Sequence, residues 1–279
     1  MSRYLVTGAA GQLGSTFVRD LAARGADCVA LTRAELDLTV DADVHEAIAA
    51  AKPDVILNCA AYNAVDRAED DASAALAVNA LAVRALGRAA AACGATLVHY
   101  STDFVFDGLG SAPYRETDPA NPRSVYGQSK LIGEWLAMDA PTAYVLRVES
   151  LFGGPQTRSS VDKIVDALRA GRDARVFVDR VVSPSYVEDV VTATLTLVDR
   201  RAPSGLYHCV NSGSTTWYEL AGEIARVLKI EPRLVPVKVA DVPMRAARPQ
   251  YCALSNDKLA AAGAAMPSWQ DAVARYVKG

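Results

Sequence analysis

Five short apolar runs, Tyr4-Leu5-Val6, Cys28-Val29-Ala30-Leu31, Val55-Ile56-Leu57, Leu97-Val98-His99-Tyr100 and Tyr144-Val145-Leu146, recur along the first half of the chain. Between them lie longer stretches with helical spacing, at 15–24, 44–51, 72–93 and 126–137. A strand that is apolar along its whole length must be covered on both faces. Helices inserted between successive strands supply that cover and force neighbouring strands to run parallel. The alternation therefore predicts an α/β fold, a doubly wound parallel sheet, over residues 1–150. No segment repeats at a fixed period, which removes solenoids and propellers from consideration.

Beyond Ser150 the rhythm loosens. Helical patterns occur near 161–170, 187–198 and 217–228 and extended ones near 176–178 and 206–210, while Pro232, Pro236, Pro243, Pro249 and Pro267 break up the tail. This predicts a smaller substrate lobe over 151–279, with a segment near 176–200 returning to the first domain.

Composition excludes several function classes. A chain of 279 residues that is 51% hydrophobic and 22% charged has too much apolar surface to stay disordered. Its formal net charge of -3 gives no basic footprint for nucleic acid, so no such partner is expected. No uninterrupted apolar run approaches the roughly 18 residues of a membrane span, and the N-terminus reaches a glycine turn before a signal-peptide core could form, so no membrane partner is expected either. The five cysteines are far apart and contain no CxxC pair, which reads as buried thiols in a reducing compartment and predicts a cytoplasmic location.

Chemistry begins at Thr7-Gly8-Ala9-Ala10-Gly11-Gln12-Leu13-Gly14, between the first strand and the first helix. Glycines there let backbone amides approach a pyrophosphate, and the helix that follows turns its N–H groups and positive dipole end toward the anion. A glycine-rich turn can also be merely a turn. Its placement between strand and helix at the head of an alternating chain favours a dinucleotide site in a Rossmann-like domain. Where an acid would hold a ribose 2′-hydroxyl, the second strand ends in Leu31-Thr32-Arg33. A guanidinium at that point suits a 2′-phosphate, so NADPH is expected over NADH, which stays possible if Arg33 is a loop residue and Glu35 takes the ribose.

Tyr126-Gly127-Gln128-Ser129-Lys130 places a phenol and an ammonium four residues apart, on one face of a helix. A phenol with its ordinary pKa near 10 is a poor proton donor at neutral pH, and a neighbouring cation would lower it. The strand ending in Ser101-Thr102-Asp103 brings hydroxyls to the carboxyl edge of the sheet, where Thr102 can bond a substrate carbonyl or simply cap a turn. His45, His99 and His208 share no metal-ligand spacing, so no metal is expected from them.

These segments together resemble the extended short-chain dehydrogenase/reductases, and within them the dTDP-4-dehydrorhamnose reductases. The resemblance is carried by 7–14, Glu35-Leu36-Asp37-Leu38, 53–62, 64–69, 101–108, 114–118, Tyr126 to Lys130 with Gly133-Glu134, and Arg248-Pro249 with Leu254-Ser255 and Lys258-Leu259. It implies hydride transfer from a nicotinamide to the C4 ketone of a nucleotide-linked deoxysugar. Tyr126 would give the proton, Thr102 polarise the ketone, and Lys130 also hold the nicotinamide ribose. Around the cofactor, Gly8 and Gly14 would shape the turn, Gly11, Gln12 and Leu13 would touch the pyrophosphate, Asp37 and Leu38 the adenine, and Ala60, Ala61 and Tyr62 the far side of the dinucleotide. Asp103 and Arg248 would lie against the nucleotide sugar.

Two departures qualify the likeness. After the strand 144–147 the family commonly carries Thr-Ser-Trp, whose Trp contacts the sugar nucleotide, whereas this chain has Val148-Glu149-Ser150. Ser150 would thus leave a wider pocket, or one filled by Tyr62, Phe152 or Tyr251. Some bacterial members bridge a homodimer through Mg²⁺ held by acids, one of them on the first helix. Thr16 stands there, so no such metal is expected, while a homodimer without one remains open. An epimerase of the same superfamily and a non-catalytic NADP-binding subunit, like the β subunit of methionine adenosyltransferase, are the competing functions.

Overall fold

The computed structural model describes residues 2–156 and 159–279. Six strands form one wholly parallel sheet, in the spatial order Gly205–His208, Ala143–Val148, Thr96–Thr102, Val55–Asn58, Arg3–Thr7, Asp27–Leu31. The order reverses between Arg3–Thr7 and Val55–Asn58, where connections leave in opposite directions and open a crevice at the carboxyl ends. Thr7 Oγ1 donates to Asn58 Oδ1 across that gap at 2.8 Å.

The period of two along each strand divides it between two cores. Leu5, Ile56, Leu97 and Val145 face the helices Asp41–Ala51 and Ala82–Cys93 through Val44, Ile48, Leu86 and Ala90. Val6, Leu57, Val98 and Leu146 face the helices Gln12–Ala23 and Val187–Asp199 through Phe17, Leu21, Val190 and Val191. A third core, with Phe152, Val161, Leu220 and Trp269, holds the smaller lobe together.

Three expectations need correction. The chain returns to the sheet through the helix Val187–Asp199, within the expected 176–200, but the strand that it adds, Gly205–His208, lies beyond that segment. Ala174–Phe177 pairs instead with Leu234–Val237 in a separate two-stranded sheet, because its apolar residues Ala174 and Val176 are buried in the third core. The stretch 72–93 is long and apolar enough on average to cross a membrane despite its interrupting arginines, though half of the window is buried inside the protein. It is divided by a π turn at Ala77–Leu81. Of the cysteines, all unpaired, only Cys209 and Cys252 are buried, and Cys93 is exposed at a helix end.

Candidate active site

Gly8 has φ +63°, and a Cβ there would lie 2.7 Å from the Ala60 nitrogen. At Gly14 it would lie 2.3 Å from the Gly8 carbonyl, so any side chain would push the helix off the turn. The helix Gln12–Ala23 starts with no side-chain cap and no acid in its first turn, which leaves its first N–H groups for an anion. A cavity of about 390 Å³ runs past this turn, lined by Gly8, Gly11, Arg33, Asp37, Leu38, Ala60, Ala61 and Tyr62. Arg33 therefore faces the cavity. Glu35 is spent on its own loop, where its carboxylate accepts from Thr32 N and Thr32 Oγ1, both at 2.8 Å. Asp37 also bonds locally, accepting from Thr39 N at 2.9 Å.

A second cavity, about 710 Å³, adjoins the first, the two sharing Gly11, Cys59, Ala61 and Asn63 in their walls. Gln12 and Leu13 from the turn, Thr102 and Asp103 from the strand end, Tyr126, Lys130 and Ser150 all line it. The helix Val125–Ala137 is fixed at its start by Ser124, whose hydroxyl accepts from Gly127 N at 3.1 Å. Helical periodicity then brings Tyr126 and Lys130 to the same wall. Tyr126 packs edge-on against Phe104, with ring centroids 5.5 Å apart, and its hydroxyl donates to Asn63 Oδ1 at 3.4 Å.

The electrostatics differ from those anticipated. Lys130 Nζ donates to the Tyr100 carbonyl at 2.5 Å, and burial, opposed by Glu134, lowers its ammonium to about 8. The Tyr126 phenol is pushed up, first by burial, which disfavours the charged phenolate, and then by the Asp103 carboxylate, and Lys130 does not draw it down. Of the two roles its position allowed, Thr102 fills the capping one, and its proton goes to a neighbouring acid. Its oxygen caps the short turn Asp103–Val105 by accepting from Phe104 N at 3.2 Å, and its hydroxyl donates to Asp103 Oδ1 at 2.8 Å.

Ser150 stands in the left-handed region at φ +46°, and none of Tyr62, Phe152 or Tyr251 reaches the cavity beside it. Aromatic surface there comes from Tyr100, Phe104, Tyr126 and Trp217. Arg248, expected against the substrate, does not line the cavity. It lies behind Phe104, its guanidinium 5.7 Å from the ring centroid, and pairs with Asp66.

Several site residues gave no signal in the sequence. Asn79, on the π turn, accepts from Tyr62 N at 2.8 Å and donates to the Tyr62 carbonyl at 3.1 Å, pinning the loop between the cavities. Arg180 and Trp217 belong to the small lobe and line both the reaction cavity and a further one of about 390 Å³ toward Lys163 and Arg175. Arg180, Asp103, Glu149 and Cys252 cluster behind Thr102, in the one group among the described residues whose acid and thiol atoms come close enough to hold a metal ion. Arg180 Nη2 lies 3.8 Å from Cys252 Sγ and supplies the positive charge there itself.

A switch-point crevice, a glycine turn under an uncapped helix, and a Thr-Tyr-Lys set in the adjoining cavity define an extended short-chain dehydrogenase/reductase. The chain belongs to the family described as RmlD substrate binding domain, whose model matches residues 2–279. It is 40% identical over 271 residues to a dTDP-4-dehydrorhamnose reductase of Streptomyces griseus, covering 94% of this chain and 88% of the relative. It is 39% identical to a probable dTDP-4,6-dihydroxy-2-methyloxan-3-one 4-ketoreductase of Streptomyces antibioticus, covering 97% and 93%. Among solved structures, the dTDP-4-dehydrorhamnose reductase of Bacillus anthracis in complex with NADP superposes with a TM-score of 0.93 at 30% identity, covering 99% and 98% of the two chains.

Proposed function

We propose that the protein is an NADPH-dependent reductase of the C4 ketone of a nucleotide-linked deoxysugar, converting dTDP-4-dehydrorhamnose to dTDP-L-rhamnose. The observation that carries this reading is the placement of Thr102, Tyr126 and Lys130 in a cavity that shares walls with the one beside the glycine turn. Full-length likeness to proteins named as dTDP-sugar 4-ketoreductases favours reduction over epimerisation or a regulatory role. Arg33 in the cavity beside the glycine turn, with Glu35 turned away, agrees with a 2′-phosphate on the cofactor.

When bound, NADPH supplies the hydride. Tyr126 then gives its proton to the oxygen that develops negative charge at C4, and burial of the phenol keeps that proton in place until the charge appears. Lys130, held by the Tyr100 carbonyl, offers its remaining N–H groups to the ribose and its charge to the phenolate left behind. The cavity toward Lys163 and Arg175 has room and positive charge for the nucleotide half of the substrate. A cytoplasmic setting rests on five cysteines with no disulfide among them.

The test is NADPH oxidation with a panel of nucleotide 4-keto-6-deoxysugars, with products identified by NMR. Stoichiometric oxidation with a new C4 hydroxyl is expected. Loss of the ketone without NADPH consumption would replace the reading with an isomerase.

A further inference from the structure

The reading of Thr102 as the group that polarises the ketone meets a difficulty in its own hydrogen bonds. A threonine hydroxyl has one proton to donate, and Thr102 gives it to Asp103 Oδ1. While that bond stands, Thr102 meets the cavity only as an acceptor and cannot help a carbonyl. Asp103 must take up a proton before the bond can reverse.

The source of that proton lies beside it. Glu149 is 2% exposed and sits with Asp103 and Cys252, one carboxylate oxygen of each acid and the Cys252 sulfur lying within 4.8 Å of one another. One Glu149 oxygen accepts from Ser183 N at 2.7 Å. The other, Oε1, has no partner, and neither has Asp103 Oδ2. The groups facing the two acids are Thr102 and Tyr126 from the catalytic wall and Arg180, Cys252 and Tyr251 from the small lobe and tail. Arg180 is the single cation among them. One guanidinium offsets one buried carboxylate, and leaving a second uncompensated at this depth is far more costly than binding a proton. Burial and the neighbouring Asp103 accordingly push Glu149 well above the usual carboxylate range, and burial raises Asp103 despite Arg180. The Cys252 thiol is driven up by burial as well and stays neutral.

We propose that Glu149 is a positioning residue that stores one proton for the Asp103–Glu149 pair and thereby sets the direction of the Thr102 hydrogen bond. With the proton on Glu149, ionised Asp103 captures the Thr102 hydroxyl. With the proton on Asp103 Oδ1, that oxygen donates to Thr102 Oγ1 and frees the Thr102 O–H for the substrate ketone. Both arrangements carry the same net charge, so the switch needs no ion to enter or leave the buried cluster. The proposal rests on the reductase reading given above.

The test compares Glu149→Gln and Glu149→Asp with the parent protein. Glutamine keeps the volume and an acceptor for Ser183 N but cannot store the proton. Asp103, left beside Arg180 with no second carboxylate, then ionises at lower pH, so the alkaline limb of kcat/KM for ketone reduction should move about one pH unit or more to the acid side. At pH 8, kcat should fall about tenfold and recover on acidification, with NADPH affinity unchanged. Glu149→Asp should retain the parent limb. Infrared difference spectra of the protein without substrate should show a protonated-carboxyl band near neutral pH that Glu149→Gln removes. Superimposable pH profiles, or no such band in the parent, would overturn the proposal. If the parent protein reduced no keto sugar, the reductase reading would fall, and the infrared band, which needs no turnover, would still decide the storage of the proton.

Discussion

Arg248 Nη2 donates to Asp66 Oδ2 at 2.8 Å, tying the proline-rich tail to a segment 182 residues earlier. Ala246 N adds a second bond to the same carboxylate at 3.0 Å. Arg248 thus holds Phe104 from behind and the tail against the catalytic wall without touching the cavity. Because Asp66 is half exposed, the pair should contribute about 0.2–1 kcal/mol. Arg248→Ala and Asp66→Ala should lower kcat/KM by similar small factors, and the double variant should be no worse than either. A loss confined to Arg248→Ala would mean that it contacts the substrate after all.

Tyr126→Phe removes the proton donor while leaving the ring packed on Phe104. Turnover should drop about a hundredfold to ten-thousandfold, with NADPH binding by fluorescence unchanged. Near-normal kcat would assign the proton to another group.

Arg33 lines the first cavity, while the Glu35 carboxylate is bonded to Thr32 in its own loop. Arg33→Ala should therefore raise KM for NADPH much more than KM for NADH, since only the former carries a 2′-phosphate for the guanidinium. Equal changes would make Arg33 a loop residue.

Ser150 occupies a left-handed backbone position on the cavity wall. Ser150→Gly should be neutral or stabilise by about 1 kcal/mol in thermal unfolding. Ser150→Trp should depress kcat/KM for a bulky 4-keto sugar more than for a small one, as expected if the missing indole leaves room. A uniform loss across sugars would mean that the pocket is already full.

His208 is fully buried, with Nδ1 between the carbonyls of Tyr114 and Ser255 at 3.1 and 3.2 Å and Nε2 3.3 Å from an Arg147 nitrogen. Burial, with Arg147, lowers its pKa to about 3. A histidine held neutral in the fold contributes fully above its unfolded value near 6.5 and loses that contribution as the pH falls toward 3. Acidification from pH 8 to pH 5 should remove roughly 2 kcal/mol through this group alone. Denaturant titrations should show that loss shrinking in His208→Asn, and an unchanged acid dependence would place the titration elsewhere.

Much of the frame could be read from the chain alone, because alternation of strand and helix and the glycines of the first turn are local. The period of two in Leu5-Val6 and Leu97-Val98 assigns each residue to one core or the other, and the four-residue spacing of Tyr126 and Lys130 places both on one face wherever the helix goes. What local patterns cannot carry is distance between remote segments and the direction of a proton. Only the tertiary structure turns Lys130 to the Tyr100 carbonyl, sets Arg248 behind Phe104 instead of in the cavity, and brings Arg180 and Cys252 from the second half against Asp103 and Glu149. Burial is itself a tertiary property. The same carboxyl of Glu149 would be an ordinary anion on a surface loop, and it is the loss of water around it, with one guanidinium for two acids, that gives it a proton to hold.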